Sequence, residues 1–374
     1  MREINDIIAR CRDICENPRA QLDTAVSAGK KAVGIVPYFC PEELVYAAGM
    51  LPFGLWGAQL QISEAKRYFP AFICSILQTT LEMGIRGELN ALSAVMVPIC
   101  CDSLKSMGTN WEHGVSNIPV INVAYAQNRK IAAGDEFTAS QYRKIRAQLE
   151  ELAGRGISDA DIAAAVAVYN ENRAARSAFS DAAGRHPDLV GARARSYALK
   201  CGYFTDRREH TALLRELTAA LEAAPACEKS FVPVVTTGII ADCPELLEIL
   251  ENNSLAIVGD QVAHESVGCC PTPVTDEPVL GLAQRIGKIE GSSVLFDPGK
   301  QRGRELVRLV REKGARGVIW VMTKFCDPEE FDLVPVKRML DEAGIPLVTV
   351  ELDQQMTSFG QAASAIEAFA EMIG

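Results

Sequence analysis

The sequence predicts an α/β protein made of two similar parallel-sheet domains with a helical segment between them. Three observations carry that expectation. Short apolar, β-branched runs alternate with helical stretches in both halves of the chain, and the middle of the chain is charged, Ala-rich and nearly free of strand signal. The parts of the first half also recur in the same order in the second. A length of 374 residues suits such a multi-domain plan.

The strands expected in the first half are 32–38, 52–56, 94–99 and 119–124, and those in the second half are 231–237, 255–259, 318–324 and 346–351. Between them, from about Thr138 to Ala224, segments such as 159–169 read as several helices. The expected divisions are an N-terminal α/β domain over 1–137, a helical segment over 138–226 and a C-terminal α/β domain over 227–374. Each α/β domain is expected to be Rossmann- or flavodoxin-like.

The internal repeat is specific. A strand runs into Cys40-Pro41-Glu42 in one half and into Cys243-Pro244-Glu245 in the other, and Pro with Glu in a first turn is a sound helix start. A later strand delivers Cys101-Asp102 in the first half and Cys326-Asp327 in the second. Each pair is followed by a helix and then by a strand opening at Pro119 or Pro346, 18 and 20 residues beyond the cysteine. Ligands of open parallel sheets sit beyond the carboxyl ends of the strands, so two facing domains would bring both pairs to one cleft.

Composition narrows the function. A formal charge of -10 and no segregated basic patch disfavour nucleic acid as a partner. No apolar run is long enough for a membrane helix, and the first ten residues lack a signal-peptide core, so a cytoplasmic protein is expected. No phosphate loop, dinucleotide fingerprint or nucleophile elbow is present. Twelve cysteines need a different account, because a reducing compartment would not keep a disulfide framework.

Cys101 and Cys326 are the leading metal-ligand candidates, since each leaves a buried strand beside a helix start, where the helix dipole favours thiolate. Asp102 and Asp327 read as helix caps. Pro70 reads as starting a helix with Cys74 about one turn in, where Cys74 serves equally well as a third ligand or as a core residue. Alternation turns Cys100 away from Cys101. Cys11, Cys15, Cys201 and Cys227 read as structural, Cys40 and Cys243 as packing residues at helix starts, and Cys269-Cys270 as a loop pair of unassigned role. His264 reads as a structural or surface residue, and Lys300, Arg302 and Arg304 as either an anion contact or a solvated helix start. Three separated cysteines, no short Cys-x-x-Cys and only four histidines fit a cubane iron-sulfur cluster with one open position better than zinc.

Several segments together resemble a known family: 40–52, Cys74-Ser75, Cys101-Asp102-Ser103, Tyr169 to Arg173, 324–328, Ile345-Pro346 and Glu351 to Asp353. Their order over nearly the whole chain is similar to that of the 2-hydroxyacyl-CoA dehydratases, which include benzoyl-CoA reductases and double-cubane proteins among their relatives. The likeness is to β subunits of the 2-hydroxyglutaryl-CoA or 2-hydroxyisocaproyl-CoA type. It implies a 4Fe-4S cluster held by Cys74, Cys101 and Cys326 in the cleft between the domains. It further implies a homologous α subunit as partner and an ATP-dependent iron-sulfur activator protein that injects one electron. That electron would pass through this subunit's cluster to the α subunit's, where an acyl-CoA substrate from amino-acid fermentation is dehydrated anaerobically. The alternatives are a CoA-ester or double-cubane-type reductase subunit, or a purely electron-transfer or structural iron-sulfur subunit. No catalytic residue is assigned to this chain, which carries the amides Gln59 and Gln61 where β subunits often place a carboxylate.

The expected chemistry accounts for the metal. A 2-hydroxyacyl thioester must lose its hydroxyl with a β-hydrogen that is not acidic, and ordinary acid-base elimination faces a very high barrier. One-electron reduction to a ketyl radical reverses the polarity, expels hydroxide from carbon 2 and acidifies the β-hydrogen. Return of the electron leaves the enoyl-CoA.

Overall fold

The computed structural model describes residues 2–374. The first sheet is four-stranded and parallel, made of β1 (Ala32–Ile35), β2 (Leu51–Gly54), β3 (Ala94–Ile99) and β4 (Val120–Ala124) in the spatial order β2-β1-β3-β4. Helices α1 (Arg2–Glu16), α2 (Pro18–Ser27), α3 (Glu42–Ala47), α4 (Ser75–Ile85) and α5 (Asp102–Gly114) precede or alternate with these strands. The strands β1 and β3 are almost wholly buried, which is why they read as continuous apolar runs.

The second sheet repeats the first. It contains β5 (Val232–Gly238), β6 (Leu255–Val262), β7 (Gly317–Thr323) and β8 (Leu347–Leu352), in the order β6-β5-β7-β8 and again all parallel. Its helices are α10 (Pro244–Asn252), α11 (Pro278–Lys288), α12 (Gln301–Lys313), α13 (Asp327–Glu342) and α14 (Gly360–Ile373). All eight strands expected from the sequence form, with ends shifted by a few residues. The repeat therefore maps β1 onto β5 and β3 onto β7.

Between the sheets the chain is helical, as its composition foretells: α6 (Ala132–Ala153), α7 (Asp159–Arg185), α8 (Ala192–Lys200) and α9 (Arg207–Glu222). Helix α7 starts at a capping box in which the Ser158 hydroxyl accepts from Asp161 N–H and the Asp161 carboxylate accepts from Ser158 N–H. The N-terminal helix joins this layer, because Ile4 packs in one core with Phe179, Leu199 and Leu214.

In each sheet the chain reverses its direction of winding between the two central strands, β1 and β3 or β5 and β7. Crevices open beyond the carboxyl ends of such strand pairs. Here the two crevices face one another, and the segments that leave all four central strands meet there.

Candidate metal centre

One cavity collects the four strand ends. Tyr38 comes from beyond β1, Cys101 from beyond β3, Ile239 from beyond β5 and Cys326 from beyond β7, and Cys74 joins them from the start of α4. Most of its remaining wall is apolar, including Pro37, Ile76, Leu77, Leu104 and Val294. The cavity holds about 390 Å³ of atom-free space, its mouth included.

The three cysteines share a local geometry. Cys74, Cys101 and Cys326 are the N-cap residues of α4, α5 and α13, and no side chain caps any of these helices. First-turn N–H groups face each sulfur: those of Ile76 and Leu77 at Cys74, of Ser103 and Leu104 at Cys101, and of Glu329 at Cys326. Three helix N-termini thus converge on one cavity, and each favours negative charge there.

Two local expectations are corrected. Pro70 does not begin a helix; the chain turns through Pro70 to Ile73, and α4 starts at Ser75, so Cys74 stands before the helix and not one turn inside it. Asp102 and Asp327 are the first residues of their helices and cap nothing, because the cysteine before each already occupies the cap position. The expected preference for thiolate is also reversed in the protein chain alone. Burial pushes Cys74 up to about 12 and raises Cys101 and Cys326, outweighing the helix N–H groups. Metal binding would have to displace those protons.

Among the described residues no three His, Cys, Asp or Glu side chains are close enough to share a single metal ion. The thiols surround a space instead of meeting at a point. That arrangement suits a polynuclear cluster, whose irons take one thiolate each, better than mononuclear zinc.

Cys326 is braced from below. The Glu329 carboxylate, wholly buried, accepts from Trp320 Nε1 at 3.1 Å, Arg302 Nη2 at 3.4 Å and Thr323 N–H at 3.3 Å. The Arg302 guanidinium lies over the Trp320 ring, 4.3 Å from its centroid. Arg302 is therefore neither a solvated helix start nor a free anion contact. Glu329 is the residue the sequence did not single out; the acidic first turn of α13 is its only trace there, and it reads as helix-dipole compensation.

The other cysteines stand apart from this cavity. Cys40 is buried with its thiol toward Met96 O, Cys100 lies on the side of Cys40 and Arg129, and Cys11 and Cys201 are buried side by side. Cys243 caps α10 in a separate cavity with Lys200 and Asp242. All twelve are free thiols. His264 is fully buried, its ring against Trp56 and Tyr203 with centroids 4.6 and 4.7 Å away, and burial lowers it to about 3. It is a neutral packing residue. No helix of the described residues is long and apolar enough to cross a membrane.

Comparison with known proteins finds relatives that match nearly the whole chain. A (R)-phenyllactyl-CoA dehydratase beta subunit of Clostridium sporogenes is 45% identical over 97% of both chains. The beta subunit of (R)-2-hydroxyglutaryl-CoA dehydratase of Acidaminococcus fermentans is 39% identical over 99% of this chain and 100% of that one. The lactoyl-CoA dehydratase beta subunit of Anaerotignum propionicum is 37% identical over 100% of both. The profile described as 2-hydroxyglutaryl-CoA dehydratase, D-component, matches residues 37–373, so the chain belongs to that family of 2-hydroxyacyl-CoA dehydratase beta subunits.

Proposed function

We propose that this chain is the β subunit of an ATP-activated (R)-2-hydroxyacyl-CoA dehydratase in which Cys74, Cys101 and Cys326 hold a 4Fe-4S cluster. The observation that carries the reading is the convergence of three uncapped, cysteine-headed helix N-termini on one apolar cavity. Bound there, a cluster supplies one-electron transfer between an activator protein and the α subunit. The chain's own residues do the rest. First-turn N–H groups stabilise thiolates and the negative charge they bring, and the apolar wall excludes water. Glu329, Arg302 and Trp320 fix the strand end that carries Cys326.

A surface for the α subunit lies beside the cavity. Phe72, two residues before Cys74, and Phe331 and Val334 on the helix headed by Cys326 are among the most exposed large apolar side chains described. Apolar groups at such a mouth suit burial by a partner chain. The relatives act on phenyllactyl, 2-hydroxyglutaryl and lactoyl thioesters by their names, so the substrate class is a 2-hydroxyacyl-CoA.

The test is anaerobic purification with the α partner and activator, followed by iron analysis, electron paramagnetic resonance and turnover of the three thioesters. About four irons per β chain are expected. Each of Cys74→Ala, Cys101→Ala and Cys326→Ala should abolish the β-chain signal, and the intact enzyme should turn over without net consumption of reductant. A β chain free of iron, with a spectrum indifferent to those substitutions, would end the reading; stoichiometric consumption of reductant would mark a reductase.

A further inference from the structure

A second cavity adjoins the candidate metal cavity at Tyr38, which lines both. Four arginines wall it: Arg173, Arg176, Arg207 and Arg285, none more than 8% exposed. Only Glu42 and Glu43 oppose them there. Arg173 pairs with Glu43 and Arg207 with Glu42. Arg173 and Arg285 hold the Glu43 carboxyl below its usual range against the effect of burial, while Tyr169 adds its hydroxyl to Glu42.

Neither Arg176 nor Arg285 forms a close ion pair with a carboxylate among the described residues; Glu43 acts on Arg285 only through its charge. Arg176 Nη2 donates to the main-chain oxygens of His264 at 3.1 Å and Glu265 at 2.6 Å, and its buried Nε has no partner at all. Arg285 donates from Nε to Cys270 O at 2.7 Å and from Nη2 to Gly268 O at 2.8 Å. The two side chains meet around Gly268, where an added Cβ would lie 3.5 Å from Arg176 Nη1. The neighbouring triad does not balance them. Arg195 there already holds Asp260 and Glu265, so five guanidiniums face four carboxylates when the two groups are counted together.

A buried cation is costly unless paired, and carbonyl oxygens compensate only part of its charge. Burial, and then the charge of Arg173, hold Arg285 below its ordinary value against the pull of Glu43, whereas Cys269 and Tyr203 hold Arg176 above its own in spite of burial. We infer that this cavity binds a small oxyanion, a carboxylate or phosphate group, seated between Arg176 and Arg285 beside Gly268. Guanidinium forks match the paired oxygens of such groups, whereas a halide offers them a single point. The site is separate from the metal cavity and stands whether or not a cluster occupies it.

The test uses the full chain, purified anaerobically and dialysed against sodium chloride. Inorganic phosphate and acetate are titrated separately at constant ionic strength, and melting is followed. One of them is expected to raise the melting temperature saturably, by about 4 °C at a hundredfold excess over its dissociation constant. Saturation with phosphate alone, or with acetate alone, identifies which acid group the site takes. Arg176→Gln and Arg285→Gln should lose the saturable shift while keeping the iron content of the parent. Because either variant could fail to fold, crystals of the unaltered chain soaked in selenate give a second measurement, an anomalous peak within hydrogen-bond reach of both guanidiniums. Shifts no larger than sodium chloride produces, together with no peak at Gly268, would overturn the inference.

Discussion

The Thr79 hydroxyl donates to the side-chain oxygen of Gln354 across 2.6 Å, joining the helix headed by Cys74 to the turn that follows β8. Gln354 makes two further bonds in the same place, from its N–H to Ser75 Oγ at 3.2 Å and from Nε2 to Trp56 O at 2.7 Å. Gln355 adds a bond from its Nε2 to Gln78 Oε1 at 2.8 Å. Gly57 makes room for the junction: it is left-handed at φ +75°, and a Cβ there would fall 2.1 Å from Gln354 Oε1. Cys74 precedes a helix among the strands of the first sheet and Cys326 leaves a strand of the second, and this junction ties the two sides together.

Gln354→Ala removes one side of that tie and takes a donor from Trp56 O, while the Thr79 hydroxyl keeps Ser75 O at 3.0 Å as an acceptor. The expected loss is about 2 kcal/mol of stability, read by chemical denaturation. Iron should also leave the variant faster than the parent under a chelator. Unchanged stability with unchanged iron release would show that the junction does not index Cys74.

Neighbouring cysteines should behave in opposite ways. Cys101 faces the cavity shared with Cys74 and Cys326, whereas Cys100 is absent from that wall and lines only an adjoining cavity, with Cys101 and Asp327. Cys101→Ser is expected to lose the cluster signal, and Cys100→Ser to keep it, with a stability change of about 1 kcal/mol. Iron per chain and paramagnetic resonance on matched preparations decide the point. Equal loss in both would mean that the local alternation is not what selects the ligand.

The strands were legible because buried parallel strands are written as apolar, β-branched runs, and the repeat was legible because Cys101 and Cys326 leave equivalent strands. What stayed hidden is non-local. Thr79 and Gln354 are 275 positions apart, and nothing in either neighbourhood announces the other. The helix start misplaced at Pro70 has another cause: Pro in a first turn is a fair signal, yet here it opens a turn that leaves Phe72 exposed before α4 begins. Cysteine takes the cap position in four helices, α4, α5, α10 and α13, and this is hidden at α5 and α13 because capping preferences point to Asp and an Asp follows the cysteine in both.

Glu329 should prove structural, beside the candidate metal ligand Cys326. It neutralises the buried Arg302 and accepts from Trp320 and Thr323 at the end of the strand that delivers Cys326. Glu329→Ala strands a buried cation whose nearest remaining carboxylate is Asp332 at 3.8 Å, at a cost of about 3 kcal/mol. Glu329→Gln keeps the shape and an acceptor and should lose less. Denaturation midpoints measure both, and an alanine variant as stable as the glutamine one would show that the charge pair contributes nothing.

Glu265 gives the pH dependence a direction. Burial lifts its carboxyl to about 7 in spite of Arg195, and the charge of Asp260 adds to the lift. The unfolded chain releases this proton near the ordinary glutamate value, while the native chain holds it to about pH 7, so the native state binds more protons between those limits. The stability contributed by the protonated group is complete below the unfolded pKa and is lost as pH rises through the native one, by at most about 3 kcal/mol. Glu265→Gln cannot titrate and should lack this component. The measurement is the difference in unfolding free energy between the parent and Glu265→Gln from pH 4.5 to 7.5: the parent's advantage should shrink with rising pH, and a constant difference would mean that Glu265 stays ionised beside Arg195 throughout.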